Sequence, residues 1–295
     1  MDSTIILDVR HLQQEFHINK ELTIKAIDDV SFTIEKGKIF GLVGETGSGK
    51  STIARTVMGI YPPTNGEVHF KGNMISNKKR FRDNKNYTRR NIQIIFQDSA
   101  AALNPRMTVA KIIAEPLKIN NIVKGKKELE KKIDSLLLQV GLDSSFKSKY
   151  PDEISGGQRQ RVAIARCIGM EPDLIIADEP IASLDISIQA QIVTLFQQLQ
   201  REYGFTFLFI AHDLSIIRFI SDTVGVMLHG KMMEMAPTKE LFENPLHPYT
   251  KALLSAVPVP DPIYERNKEI LLYDVASLPV DGDMIEVSPG HFVYQ

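Results

Sequence analysis

The sequence predicts an α/β fold, a mostly parallel sheet with helices on both faces. Three observations predict it. Short, wholly apolar runs alternate with amphipathic helical stretches. One apolar run leads straight into a glycine-rich loop followed by a helical stretch. Another ends in two adjacent carboxylates, and in open α/β sheets chemistry gathers at the carboxyl ends of strands.

The apolar runs are Ile39 to Val43, Ile92 to Phe96, Leu174 to Ala177, Phe205 to Ile210 and Val224 to Leu228. Their length and lack of polar alternation mark strands buried on both faces. Leu129, Ile133, Leu136, Leu137 and Val140 recur at helical spacing, with Gly141 placed to end that helix. Ile188, Ile192, Leu195, Phe196 and Leu199 repeat the pattern, with Gly204 as the stop. From Ile5 to Phe70, short alternating segments such as Val30-Ser31-Phe32-Thr33-Ile34 predict antiparallel strands around the glycine-rich loop. From about Thr108 to Arg166 nearly all the chain is helical in pattern, which predicts a helical insertion (98–166). Beyond Pro237 prolines multiply, at 245, 248, 258, 260 and 262, and predict an irregular extension. The expected boundaries are therefore 1–236 for the main domain and 237–295 for the extension. The basic, polar stretch Asn77 to Arg90 reads as a solvated loop.

Composition bounds the possibilities. The chain has 295 residues, 43% of them hydrophobic and 24% charged, as in an ordinary globular protein with a sizeable core. A net charge of −1 gives no global field to draw nucleic acid, so no nucleic-acid partner is expected. The single cysteine, Cys167, makes neither an internal disulfide nor a Cys₄ metal site, and its apolar neighbours mark it as core packing. Met1-Asp2-Ser3 opens no signal-peptide pattern, and no apolar run approaches the roughly 20 residues of a spanning helix. Any work at a membrane is expected to go through partners.

Gly44-Glu45-Thr46-Gly47-Ser48-Gly49-Lys50-Ser51 fits G-x-x-x-x-G-K-[ST] in its strand–loop–helix context, with the helical stretch opening at Thr52. Glycines let the backbone amides turn inward, and those amides with the helix N-terminus suit phosphate oxygens. Lys50 is placed to reach β- and γ-phosphates and Ser51 to ligate Mg²⁺. At the end of the strand from Leu174, Asp178 suits Mg²⁺ and Glu179 suits polarising an attacking water. Alone, that pair would read as an acidic turn; the phosphate loop gives it meaning.

Ser155-Gly156-Gly157-Gln158 opens a helix read as Arg159 to Gly169. Alone it is a plausible N-cap. Lying between the phosphate loop and the acidic strand, it resembles the signature of the ATP-binding cassette (ABC) family, usually L-S-G-G-Q, with Ile154 replacing Leu. Further matches follow in order. Gln97, after Phe96, resembles the Q-loop. Ala182-Ser183-Leu184-Asp185 resembles the D-loop, with Ala and Ser exchanged. His212 resembles the switch histidine. Phe16 stands where an aromatic stacks on adenine in the family, although a lone aromatic near a strand is as often core.

The resemblance covers essentially the whole chain and implies a P-loop NTPase (ABC-type) core that binds and hydrolyses ATP with Mg²⁺. It implies that Ser155 and Gly157, at the tip of the signature helix, face ATP held by a partner subunit. It implies that Gln97 senses Mg²⁺ and the lytic water, that His212 holds the γ-phosphate, and that Asp185 acts across the dimer.

Asn244-Pro245-Leu246-His247-Pro248-Tyr249-Thr250-Lys251-Ala252-Leu253-Leu254 resembles the segment of ATPases serving oligopeptide and dipeptide importers, a group that includes nickel and glutathione systems. Ser187 to Ile192 and Leu103 to Met107 resemble the second (F-type) ATPase of oligopeptide importers, and Ile285 to His291 resembles Gram-positive members. Many relatives carry a cysteine-rich stretch in this extension. None is present here, so no iron–sulfur cluster is expected.

The expectation is a peripheral ATPase at the cytoplasmic face of the cell membrane. It would pair with a homologous ATPase under two transmembrane permease subunits fed by an extracellular peptide-binding protein. The alternatives left open are a dipeptide, nickel or glutathione importer, and a soluble non-transport cassette ATPase.

Overall fold

Residues alternate between two cores along each central strand, and that alternation organises the molecule. The computed structural model describes residues 4–19, 22–76, 86–258, 266, 268–279 and 282–295. Strands β1 (Ile5–His17), β2 (Thr23–Glu35), β4 (Asn65–Phe70) and β5 (Asn73–Met74) form an antiparallel sheet in the order β2-β1-β4-β5. The main sheet has the order β11-β12-β10-β9-β3-β8-β7-β6. Its strands are β3 (Ile39–Gly44), β6 (Ile92–Ile95), β7 (Leu174–Asp178), β8 (Thr206–Ile210), β9 (Thr223–Leu228), β10 (Lys231–Pro237), β11 (Met284–Ser288) and β12 (His291–Tyr294). The run β9-β3-β8-β7-β6 is parallel.

In β3, Ile39 and Val43 face one core while Phe40 and Leu42 face the other. In β8, Phe207 and Phe209 face the first and Leu208 and Ile210 the second. This is the two-residue period of a strand buried on both sides. The first core is filled by helices, among them Gly156–Ile168 and Ile186–Tyr203. Phe196 stands edge-on to Phe207 and Phe209, with centroids 5.5 and 5.4 Å apart. The second core is closed by the antiparallel sheet and by Ile53, Ala54 and Val57 of helix Lys50–Val57.

The five expected strands form, with ends shifted by one or two residues: β6 stops at Ile95, before Phe96, and β8 starts at Thr206. Between β6 and β7 the chain is helical, at Ser99–Ala102, Val109–Ile119, Lys126–Gln139 and Gly156–Ile168. Gly141, with φ of 71°, follows the third of these, and Gly204 caps Ile186–Tyr203 in the left-handed conformation.

Two expectations are corrected. The stretch Asn77 to Arg90 lies outside the described residues up to 85, but residues 86–91 are helical and Thr88 is buried, not part of a solvated loop. The extension is also more ordered than an irregular tail. It forms helices Thr238–Glu243 and Pro248–Ala256, then a hairpin, β11–β12, that adds to the main sheet through β10.

Glu234 of β10 pins this extension. It is 0% exposed. Its carboxylate accepts from the backbone N–H of Leu246 at 2.8 Å, from that of His247 at 3.0 Å, and stands 2.7 Å from His291 Nε2. One buried carboxylate thus joins the main sheet, the 244–250 turn and the terminal hairpin. Each donor left without a partner costs roughly 1–3 kcal/mol. Glu234→Ala is therefore expected to lose about 3 kcal/mol or more of stability. Urea unfolding would measure the loss, and hydrogen exchange should quicken at Leu246 and His247.

Candidate functional site

The carboxyl ends of β3, β8 and β7 lie side by side, and the residues that leave them form the site. The registers Leu42↔Ile210 and Asp178↔Ile210 bring the phosphate loop, the segment around His212 and the acidic pair to adjacent strand ends. The loop itself needs glycine on steric grounds at two points. Gly44 has φ of 147°, and a Cβ there would stand 2.1 Å from the Met227 carbonyl oxygen. Gly49 has φ of 104°, and its Cβ would stand 2.3 Å from the Ala26 carbonyl oxygen. A side chain at either would push the loop off β9 or β2.

Lys50 fills the cradle that the loop makes. It is 4% exposed. Its Nζ donates to the carbonyl oxygens of Gly44 at 2.7 Å and Glu45 at 2.8 Å, and to Ser48 Oγ at 3.3 Å. Burial lowers its pKa, opposed by the carboxylates of Glu179, Asp178 and Glu45. Ser51 Oγ donates to Asp178 Oδ1 at 2.8 Å. Asp178 is 6% exposed, and burial raises its pKa against the hydrogen bond from Ser51 and the nearby charge of Arg55. Thr52 is half-buried, and its carbonyl accepts from Thr56 Oγ1.

Glu179 follows directly with φ of 49°, held by its N–H donating to the Ile210 carbonyl at 3.0 Å. A non-glycine residue in that region is strained, and such strain concentrates at working sites. His212 Nδ1 stands 3.8 Å from Glu179 Oε2, with the imidazole largely exposed.

The remaining expected residues are spread more widely. Gln97 is exposed, two residues beyond β6, whose neighbour is β7. Ser155 and Gln158 form a reciprocal cap: Ser155 Oγ accepts from the Gln158 N–H at 3.3 Å, and Gln158 Oε1 from the Ser155 N–H at 2.9 Å. The helix begins at Gly156, three residues before the expected start. Gly156 and Gly157 pack beside Leu184 and Ile188; a Cβ on Gly157 would stand 2.5 Å from Ile188 Cγ2. Asp185 is exposed at the start of helix Ile186–Tyr203, and its neighbour Ile186 is 85% exposed. Phe16 is half-buried and edge-on to Tyr61, 5.2 Å between centroids. Among the described residues, no hydrogen bond or ion pair joins 155–158 to 44–51. Cys167 is buried in the core with its thiol pushed up to about 12 by burial. The sequence reading missed the buried Glu234–His291 link; two polar residues flanked by ordinary strand pattern give little local signal.

The family description "ABC transporter" matches residues 27–182. The chain belongs to the ABC transporter family. A second description, "Oligopeptide/dipeptide transporter, C-terminal region", matches residues 233–275, the segment organised by Glu234. The chain is 52% identical to the oligopeptide transport ATP-binding protein OppF of Bacillus subtilis, over 98% of this chain and 95% of that protein. It is 46% identical to AmiF, an oligopeptide transport ATP-binding protein of Streptococcus pneumoniae, over 98% and 94%. Its fold is similar to CbiO1 of Clostridium perfringens, part of an ABC transporter complex, with TM-score 0.72, 30% identity and coverage of 82% and 92%. It is also similar to the cassette MJ0796, solved as a dimer bound to ADP and Pi, with TM-score 0.70, 26% identity and coverage of 79% and 99%. As a member of this family the chain is an ATP-binding ATPase.

The buried Asp178 gives a prediction with a definite sign. A carboxyl whose folded pKa is raised above its unfolded value costs stability above the unfolded pKa, about 3.9, and the cost vanishes as pH falls below it. Asp178→Asn keeps an acceptor for Ser51 and removes that cost. The nucleotide-free variant is expected to melt higher than wild type at pH 7, with the difference shrinking towards pH 4. Calorimetry at the two pH values checks this.

Proposed function

We propose that the chain is the ATPase subunit of an oligopeptide importer, docked on the cytoplasmic face of the membrane. Near full-length identity to OppF and AmiF carries the cargo assignment. The convergence of 44–51, 178–179 and 212 at adjacent strand ends supports the chemistry. Among the described residues no helix is long and apolar enough to cross a membrane. The membrane-spanning work falls to two permease subunits, with an extracellular peptide-binding protein delivering cargo.

In this reading the backbone amides of 44–51 cradle the triphosphate and Lys50 moves from its loop carbonyls to the phosphate oxygens. Phe16, beside Tyr61, offers its ring to adenine. Ser51 and Asp178 are hard oxygen donors, with a buried carboxylate that a cation would compensate, so the pair fits Mg²⁺. Among the described residues no cluster of three or more His, Cys, Asp or Glu could hold a metal by itself, which suits an ion shared with phosphate. When bound, Mg²⁺ would neutralise charge on the β- and γ-phosphates. Gln97 completes that side of the site. Glu179 accepts the proton of the attacking water, and His212 beside it holds the γ-phosphate and the water in line.

Among the described residues 155–158 make no hydrogen bond or ion pair to 44–51, and Ser155 is exposed while Gly157 is buried against Ile188. This supports a composite site, in which Ser155, Gly156, Gly157 and Gln158 of one subunit close over the triphosphate of a homologous partner, a heterodimer by family habit. Exposed Asp185 and Ile186 fit the same interface. Dipeptide import is the second reading, favoured by the description matched at 233–275.

Glu179→Gln is expected to retain ATP binding and lose hydrolysis by about 10²–10⁴-fold, the worth of a general base. Steady-state turnover beside nucleotide titration measures both; unchanged turnover removes Glu179 from the role. Affinity purification from membranes should recover two permeases and a second ATPase, and uptake assays in vesicles should favour longer peptides over dipeptides. Recovery of the chain without membrane subunits would refute the transport reading.

A further inference from the structure

Gln189, near the start of helix Ile186–Tyr203, turns its side chain back onto the turn that follows Glu179. Its Nε2 donates to the Ile181 carbonyl at 3.1 Å and to the Leu184 carbonyl at 3.0 Å. An amide nitrogen carries two hydrogens, so each carbonyl can have its own. Both partners are acceptors, so only the nitrogen end of the amide can face them. Two backbone bonds close the same turn: the Ala182 N–H donates to the Glu179 carbonyl at 3.3 Å and the Leu184 N–H to the Ile181 carbonyl at 3.1 Å.

The turn joins two working parts of the molecule. It leaves Glu179 at one end and reaches exposed Asp185 at the other. Leu184 and Ile188 lie against Gly156 and Gly157 of the signature turn. Gln189 also borders the reacting groups directly. With Glu179, His212 and Asp213 it lines a cavity of about 30 Å³, large enough for a water.

Glu179 needs such a brace. Its φ of 49° is a strained conformation, which persists only where the surroundings hold it. Its N–H is tied to the Ile210 carbonyl, and beyond it the chain enters the turn that Gln189 fastens. We propose that Gln189 is a positioning residue for hydrolysis: its amide sets the shape of the turn 180–185, and through it the aim of the Glu179 carboxylate at the attacking water. This rests on reading Glu179 as the general base.

The test uses Gln189→Met and Gln189→Glu in the full chain. The first keeps the length and apolar stem without a donor; the second keeps the shape but turns a carboxylate towards two carbonyls. Steady-state ATP turnover is measured beside titration of ATP in the presence of Mg²⁺. Affinity is expected to stay within about twofold while kcat falls about tenfold or more in both variants, since a misplacement of about 1 Å can cost about 10²-fold. Hydrogen exchange at the Leu184 N–H should quicken in both. Wild-type turnover in either variant overturns the proposal. So does a joint fall of affinity, melting temperature and turnover, which lost packing would give. Glu179→Gln in the same assay separates the two readings. Full turnover in that variant removes the base, and this proposal with it. An inactive Glu179→Gln beside a fully active Gln189→Met removes this proposal alone.

Discussion

A buried ammonium must be surrounded by acceptors, and the placing of Lys50 shapes everything around it. Its Nζ is held by two carbonyls and a hydroxyl of its own loop. Desolvation alone would favour neutralising it, as the lowered pKa shows, and three nearby carboxylates oppose that shift. The loop can wrap a lysine this closely because Gly44 and Gly49 let its backbone run against Met227 and Ala26. In the proposed reading the donors that meet a phosphate are the backbone amides of the loop and Lys50 itself, turned away from its carbonyls.

The rest of the fold supplies the groups that meet there. The parallel strands split their side chains between two cores, so each strand is fixed from both sides and its end is well placed. Ser51 and Asp178, far apart in sequence, meet at 2.8 Å. Glu179 and His212 leave neighbouring strands and face each other at 3.8 Å. The signature turn is built differently. Its serine and glutamine satisfy each other, and its glycines lie against Leu184 and Ile188, so the turn is locked in shape by its own chain. The extension is tied to the same sheet through one buried carboxylate, which makes it a part of the ATPase body.

Much of this was legible in the sequence because strong local patterns coincide with the elements. Ile39 to Val43 and Leu174 to Ala177 are too apolar to lie anywhere but a doubly covered strand. Gly141 and Gly204 sit where helices need a left-handed stop. The phosphate loop is visible because its chemistry is contiguous. What escaped was non-local or weakly patterned. The β11–β12 hairpin follows a proline-rich stretch, and the apolar–polar alternation of Ile285, Glu286, Val287 and Ser288 spans only four residues, too short a run to announce a strand by itself. Glu234 reads as an ordinary polar residue in a strand, and only the fold shows that three segments converge on it. Thr88 reads as part of a basic, soluble run, yet it is buried. The positive φ of Glu179 follows from a backbone bond to β8 that no motif encodes.

Calorimetric titration of ATP into wild-type protein and Lys50→Ala measures whether the triphosphate binds Lys50 once it is freed from its loop carbonyls. Measurable affinity is expected for the wild type and a loss of at least about tenfold for the variant, the minimum for a charge-assisted contact. Equal affinity in the two proteins would contradict it.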